Sequence, residues 1–363
     1  MSTASDIFIE FDDNGVCNHC LLYNHRAQLY ISSSDSEKEV ILSNLINDIK
    51  QKGKNKKYDC IIGVSGGVDS TYVAYLVKKW GLRPLAVHCD NGWNSELAVS
   101  NINNILKKLN IDLYTHVINW EEFKDLQLSY LKASVIDLEA ISDHAITATL
   151  YNVANKKGIK YILSGENLVT EGYLPSSWVH LKNDLINIRG IHKKFGSIKL
   201  NSYPTLGYFK RWYLTSFKKI DCVQILNFIN YKKSKAENIL IQSLNWRDYG
   251  GKHYESIITR FYQAYILPNK FGIDKRVSHF STLICSGQMT REEAMQELSK
   301  LPYNNDLMLQ DKKYVIKKLG LTDEKFEELM SLPVKPHTDY PSIVNIAKKL
   351  KPITRIVKKF IKY

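Results

Sequence analysis

Apolar residues follow two different periods along this chain. Between residues 58 and 164 the runs "CIIGV", "PLAVHC", "LYTHVI" and "KYILS" are short, apolar and β-branched, and read as four strands. The stretches between them repeat at helical spacing. Val73, Leu76, Val77 and Trp80 share one face of a helix over Thr71 to Trp80, and Ala98, Ile102, Ile105, Leu106 and Leu109 share one face of a second. His144 to Lys157 predicts a third, ended by Gly158. Strands alternating with helices predict an α/β fold whose parallel sheet is covered on both faces. Ahead of it, "SSSDSEKEVILSNLINDIK" predicts an amphipathic helix from about Ser36, then the basic linker "QKGKNKKY". Beyond about Asn201 the pattern becomes helical and aromatic-rich, without clear strand alternation. It includes "SGQMTREEAMQEL", which opens on a Thr290-x-x-Glu293 capping box. The pattern divides the chain into an N-terminal segment (1–57), an α/β domain (58–200), a mainly helical region (201–345) and a tail (346–363).

Charge changes the picture at one end. The chain of 363 residues carries a net charge of +13, which invites a nucleic-acid partner. Much of the excess lies in the tail, where residues 348–363 hold Lys and Arg and no acid, and this weakens that reading. Ile346, Leu350, Ile353, Val357 and Phe360 recur there at helical spacing, interrupted near Pro352. Such a segment suits an anionic membrane surface, a partner protein, or simply a solvated helix. Asp6, Glu10, Asp12 and Asp13 stand where a signal peptide needs basic and then apolar residues, and no apolar run approaches the ~18 residues of a membrane span, so the expected location is the cytoplasm. The six cysteines show no framework spacing, and Cys60 and Cys89 sit in strand runs as core thiols.

The first strand runs into "SGGVDS", and ligands of open α/β sheets bind outside the carboxyl ends of strands. Gly66 and Gly67 let the backbone present successive N–H groups, and the following helix adds its positive end. A phosphate cradle results. It is not a Walker A loop, because no lysine follows the glycines. "HCDNGW" places Asp90 and Asn91 at the end of the second strand, and "SGENLVTE" places Gly165, Glu166, Asn167 and Glu171 at the end of the fourth. Either could alone be an ordinary polar loop; three polar loops on one edge of a sheet make a site.

Ser65-Gly66-Gly67-Val68-Asp69-Ser70 resembles the pyrophosphate-loop motif of the ATP pyrophosphatase (PP-loop) superfamily, of the adenine-nucleotide alpha hydrolase, HUP-like fold type. With "FDDNGVCNHC", "VHCDNGWNSELAVSNI", "ISDHAITATLYNVANKKGIKYILSGENLVTE", "GGKHYESIITRFYQAY", "KFGIDKR" and "SGQMTREEA", the chain from about Phe11 to about Leu298 resembles the N-acetyl sugar amidotransferases of bacterial surface-polysaccharide synthesis. The resemblance implies AMP-forming ATP chemistry that turns an acetamido group of a nucleotide-linked sugar into an acetamidino group. It implies that Ser65, Gly66, Gly67 and Ser70 hold pyrophosphate, and that Asp69 with Glu171 handles Mg²⁺. Asp90 and Asn91 would meet the adenosine, and Gly165, Glu166 and Asn167 the α-phosphate region. Candidates for the sugar nucleotide are Lys252, His253, Glu255 and Arg260, with Lys275 and Arg276 as cations for an anionic donor. Asp143 is expected to N-cap the helix before the fourth strand, which leaves His144 as a base, a substrate contact or neither.

The family commonly carries two CxxC pairs near its N-terminus, a spacing suited to zinc, whereas this chain has only Cys17-x-x-Cys20. Closure of a zinc site would need His19, His25 or a distant Cys; two free thiols are the alternative. No cysteine has the setting of a glutaminase nucleophile, so ammonia is expected from a separate glutaminase with a cyclase-like barrel subunit, as the resemblance also implies. Two rivals share the loop. One is a PP-loop tRNA-modifying enzyme, against which no RNA-binding module is recognisable; the other is a nucleotide-binding protein without catalysis.

Overall fold

The computed structural model describes residues 3, 6–30, 34–251 and 254–349. The candidate residues Lys252 and His253, and the tail from Leu350, lie outside the described residues. Five parallel strands form one sheet in the order β3-β2-β1-β4-β5: β1 (Cys60–Gly63), β2 (Pro84–Asp90), β3 (Asp112–Val117), β4 (Tyr161–Ser164) and β5 (Asp221–Gln224). Ile61 pairs with Leu85 on one side and Ile162 on the other. Cys60, Ile61 and Ile62 are fully buried, as expected of a central parallel strand covered on both faces. The chain steps outward from β1 to β3 and then crosses back to lay down β4 beside β1. The order therefore reverses between β1 and β4, and a crevice opens outside their carboxyl ends.

Helices α1 (Asn18–Tyr30) and α2 (Asp35–Gly53) precede the sheet, and α3 (Val68–Lys79), α4 (Glu96–Leu109), α5 (Trp120–Ala133) and α6 (Ala140–Lys157) connect the first four strands. Between β4 and β5 lie α7 (Leu168–Glu171), α8 (Leu185–Phe195) and α9 (Tyr208–Ser216). After β5 come α10 (Lys233–Leu244), α11 (Ile257–Phe261), α12 (Leu267–Phe271), α13 (Lys275–Cys285), α14 (Arg291–Ser299), α15 (Asn305–Leu319) and α16 (Asp323–Ser331). Alternate strand residues feed opposite layers, as period two requires. Ile62, Ala86 and Leu163 pack with Val73 and Val77 of α3, Ile102 of α4 and Leu240 of α10. Ile61, Leu85 and Ile162 pack with Ala148 and Tyr151 of α6 and Leu214 of α9. A third core gathers Phe123, Tyr130, Ile141, Phe261 and Phe326 from α5, α6, α11 and α16.

The structure departs from the sequence pattern at β5, α1 and α6, and has the helix expected from about Ser36 as α2. β5 comes from the stretch read as helical; with only "DCVQ" on a sheet edge, half of it exposed, it shows no alternation to detect. α1 occupies a start read as irregular, because its apolar residues do not fall on one face. α2 begins at Asp35 with Ser34 as N-cap, and a reciprocal Ser34/Glu37 capping box fixes that start. α6 begins at Ala140, so Asp143 lies inside the first turn and is not its N-cap. The expected Thr290/Glu293 box is present at the start of α14.

Candidate active site

The loop after β1 folds around its own hydroxyls. Ser65 Oγ accepts from Gly67 N at 3.3 Å and lies 3.2 Å from Ser70 Oγ, which donates back to Gly67 O at 3.2 Å. Gly66 has φ +87°, a conformation that a side chain strains. Space forbids one as well, since a Cβ there would lie 2.7 Å from the Tyr249 hydroxyl and 2.9 Å from Ala98 O. Gly67 is the N-cap of α3 and no side chain caps that helix, so its first-turn amides and dipole suit an anion. Gly165 serves the same centre from β4: a Cβ there would lie 2.9 Å from the Asp69 carbonyl carbon and Ser70 N. Glycine is what lets the two strand-end loops touch.

Groups from beyond β5 hold this loop, and local sequence patterns did not reveal them. Trp246 Nε1–H and the Tyr249 hydroxyl both donate to Gly66 O, at 2.8 and 2.6 Å. Tyr231 donates to Asp69 Oδ1; burial and the neighbouring carboxylate push its phenol well up, so it remains a donor. Asn101 of α4 fastens the clamp, donating to Arg247 O at 2.8 Å and to the Tyr249 hydroxyl at 3.0 Å. The sequence signal was the aromatic pair in "NWRDYGG", whose partners stand far away along the chain.

At the end of β2, Asp90 Oδ1 accepts from Gly92 N at 2.8 Å and Asn94 Nδ2 at 3.1 Å, and Asn91 Oδ1 accepts from Trp93 N at 3.2 Å. His88, which the sequence reading passed over, orders this loop. Its Nδ1–H must donate to Val64 O at 2.8 Å because a carbonyl only accepts, leaving Nε2 to accept from Asn94 Nδ2 at 3.0 Å. At the end of β4, Asn167 is buried and its amide is spent inside the loop, accepting from Thr170 N at 2.9 Å and donating to Gly165 O at 3.1 Å. It shapes the turn rather than facing the crevice. Glu166, next to it, is exposed, accepting from Gln224 Nε2 at 3.1 Å. Desolvation by its surroundings, then the charges of Glu171 and Asp143, raise its carboxyl above the usual range against that hydrogen bond. Glu171 lies in the short helix α7 beside it.

The proposed acceptor residues separate into two groups. Glu255 reaches the loop: a Cβ on Gly67 would lie 3.2 Å from its Oε1. Its backbone adds to the β2 loop, with Ser95 N donating to Glu255 O and Ile257 N to Trp93 O, both at 2.9 Å. Arg260 is partly buried and forked onto Asp311 at 2.7 and 2.8 Å, with its guanidinium 5.3 Å from the centre of the Tyr254 ring. Arg276 forks onto Asp274 and donates to carbonyls at the end of α14. Lys275 lies 3.8 Å from Glu139. Both arginines are thus engaged in intramolecular pairs and are corrected to structural roles. His144 is corrected likewise: buried between Lys182 O at 2.7 Å and Leu206 N at 3.1 Å, with burial lowering its pKa, it is a satisfied core histidine.

Among the described residues no group of three or more His, Cys, Asp or Glu side chains is set to hold a metal ion. Asp69 and Glu255 nevertheless flank the phosphate loop, and Mg²⁺ arriving with a triphosphate takes most of its ligands from phosphate and water. The cysteine pair fits zinc less well. Cys17 Sγ lies 3.3 Å from Cys20 Sγ, α13 brings Cys285 beside them, and burial followed by these neighbours pushes the Cys20 thiol up to about 12. His19 points to Asp6 at 2.5 Å, so the described side chains do not close a four-ligand cage.

Comparison with known proteins accords with this geometry. Residues 40–193 match the NAD synthase family, so the fold and loop are those of an ATP-utilising PP-loop enzyme, a class that uses ATP with Mg²⁺. Residues 255–351 match "LPS biosynthesis protein WbpG-like, C-terminal domain". The two matches, in this order on one chain, support the resemblance to the N-acetyl sugar amidotransferases of the PP-loop superfamily. An uncharacterized protein of Methanocaldococcus jannaschii is 24% identical over 300 residues, covering 80% of this chain and 88% of that protein. Among solved structures, an NMN synthetase from Francisella tularensis is 15% identical with a TM-score of 0.32, covering 84% of this chain and 99% of its own. An NH3-dependent NAD synthetase from Campylobacter jejuni is 18% identical with a TM-score of 0.30, covering 56% and 83%. No helix among the described residues is long and apolar enough to cross a membrane.

Proposed function

We propose that the protein adenylates the acetamido oxygen of a nucleotide-linked N-acetyl sugar and replaces it with ammonia, giving an acetamidino sugar for lipopolysaccharide or another surface glycan. The observation that carries this reading is Glu255. It opens the WbpG-like segment and lies against Gly67 of the pyrophosphate loop, so the family-specific segment meets the ATP chemistry at one point.

The amide oxygen attacks the α-phosphorus, an O–P bond forms, the α–β bridge breaks and pyrophosphate leaves. Ammonia then adds to the imidate carbon, loses a proton, and the C–O bond breaks with the original oxygen carried off in AMP. An amide oxygen is a poor leaving group, and adenylation removes that obstacle. No covalent enzyme intermediate is needed. Loop amides of Gly67 to Ser70 and the α3 dipole would hold the pyrophosphate, which is positioning and electrostatic work. Bound Mg²⁺ would supply neutralisation of phosphate charge, with Asp69 and Glu255 as the residues to hold it. Asp90 and Asn91 would bound the adenosine, and Glu166 and Glu171 the side where the acceptor approaches. Ammonia would come from a separate glutaminase through a cyclase-like barrel subunit, since free ammonium is mostly protonated at neutral pH.

A tRNA-modifying enzyme would use the same loop on a base oxygen, and the WbpG-like segment favours the sugar. The test incubates the chain with ATP, ammonium at raised pH and a panel of acetamido sugar nucleotides carrying ¹⁸O in the amide. AMP bearing the label and a product mass shifted by the exchange of oxygen for NH are expected. Stoichiometric ADP, or turnover with tRNA and none with any sugar, would overturn the proposal.

A further inference from the structure

A parallel sheet has two unlike edges, and the edge opposite the crevice collects basic residues. Lys56-Lys57 precede β1, Lys78-Lys79 end α3 before β2, and Lys107-Lys108 end α4 before β3. Lys156-Lys157 end α6 before β4, and Lys218-Lys219 precede β5. Lysine at a helix C-terminus follows the helix dipole, and doublets also occur elsewhere in this chain, so a single one means little. Here the topology sets all five along one edge, about 20 Å across for five strands. The carboxylates Asp48, Asp59 and Asp112 at this edge are already paired with Lys52, Arg83 and Lys57. Asp221 opens β5.

Beside the last doublet, α9 turns Leu214 inward and its aromatic face to solvent. Phe209 is 85% exposed, Trp212 54% and Phe217 63%, and Tyr208 and Tyr213 are exposed with them. Trp212 and Tyr213 pack against Phe217, with ring centroids 5.1 and 5.8 Å apart, and Lys218 Nζ stands 5.8 Å from the Tyr213 ring. From Gly207 to Ile220 there is no acidic residue. Scattered exposed apolar residues need no explanation, but a contiguous aromatic patch bordered by lysines does.

We infer that this edge and the outer face of α9 form a docking surface for an anionic lipid bilayer. The breadth and sign of the lysine edge suit a planar anionic surface. Trp and Tyr beside lysines match the composition that seats proteins at the headgroup level. Nucleic acid would satisfy the lysines while leaving Phe209 and Phe217 in water, away from the doublets on β1 to β4. Docked this way, the crevice faces away from the lipid and stays open. The inference does not rest on the sugar reading.

The test is co-sedimentation of the full chain with phosphatidylcholine vesicles containing or lacking phosphatidylglycerol, at about 0.1 M salt. Binding should require phosphatidylglycerol. Lys218→Glu with Lys219→Glu should lower the partition coefficient at least tenfold, since each lysine near an anionic surface is worth about 1 kcal/mol. Phe209→Ser, Trp212→Ala and Phe217→Ser together should do the same. All these positions are exposed and none is among the residues assigned to the nucleotide or acceptor site, so melting temperature and ATP–pyrophosphate exchange should be unchanged. Trp212→Phe should bind like wild type but lose quenching by brominated lipid. Three results would overturn the proposal: wild-type binding by both multiple variants, no binding to anionic vesicles, or preferential binding to RNA. Conversion of a wild-type dimer to a monomer by the aromatic variant, without vesicle binding, would assign the face to a second copy instead.

Discussion

Tyr249→Phe removes one oxygen and tests whether the far part of the chain governs the phosphate loop. The Tyr249 hydroxyl donates to Gly66 O at 2.6 Å and accepts from Asn101 Nδ2 at 3.0 Å, while Trp246 Nε1–H donates to the same carbonyl at 2.8 Å. Gly66 O keeps one donor in the variant and Asn101 keeps Arg247 O, so no buried group is wholly orphaned. A net hydrogen bond is worth about 1 kcal/mol, so the loss should be about 1 to 1.5 kcal/mol, a fall of some 1–2 °C in the melting temperature of a chain of 363 residues. Trp246→Phe should cost more, because it also leaves space in a fully packed site. The double variant decides the matter: with both donors gone the carbonyl is unsatisfied, at about 1–3 kcal/mol, so the losses should exceed the sum of the singles. The carbonyl helps hold Gly66 at φ +87° and so aims the amides that follow. KM for ATP should therefore rise about tenfold in Tyr249→Phe, equivalent to about 1.4 kcal/mol. Urea unfolding and steady-state AMP formation supply the two readouts. Additive stability losses with an unchanged KM for ATP would refute the clamp.

Asp69→Asn and Ser70→Ala should leave the circular dichroism intact and lower AMP formation roughly 10²-fold or more, the usual cost of losing a preorganised electrostatic group. Glu255→Gln should raise the Mg²⁺ concentration for half-maximal rate by about tenfold with little effect on melting, and an unchanged Mg²⁺ dependence would remove Glu255 from the metal. Glu166 has a folded pKa above its unfolded value, so its contribution to stability is complete below the unfolded pKa and is lost as pH rises through the folded one. Melting of Glu166→Gln relative to wild type should accordingly be more favourable at pH 7 than at pH 4, and a constant difference would contradict the assignment. Arg260→Met should cost about 3–5 kcal/mol by leaving the buried Asp311 carboxylate without its counter-charge and with only the Tyr303 hydroxyl as donor, with much of the loss recovered when Asp311→Leu is added. Near-native stability with a raised KM for the acceptor would return Arg260 to the substrate site.

What could be read in the sequence was local. Four strands, the "SGGVDS" turn and the Thr290 capping box each announce themselves within a few residues, through period, glycine spacing or cap chemistry. β5 did not, since four residues on an edge carry no period. The Gly66 clamp did not either: Trp246 and Tyr249 lie some 180 positions from the carbonyl they serve, and only the folded chain shows that they meet. The arginines mark a different limit. Arg276 has Asp274 two residues before it, a partner in plain view, but a sequence does not say whether a fork turns inward to its neighbour or outward to a ligand.

The C-terminal segment is therefore part of the nucleotide site. The sheet alone would supply the loop of Ser65 to Ser70, but Gly66 O is held from Trp246 and Tyr249, Asp69 from Tyr231, and the β2 loop is extended by the backbone of Glu255 and Ile257. Those contacts run through Glu255 and Ile257, so whatever binds against Glu255 is linked directly to Gly67 and to the Asp90 loop. Free energy linkage makes any such coupling reciprocal: an acceptor that binds against Glu255 and tightens nucleotide binding is itself tightened by nucleotide by the same factor. In the proposed reaction, whose adenylated intermediate water would hydrolyse, such coupling would have a clear chemical use, because it would favour nucleotide binding when the acceptor for the AMP group is in place.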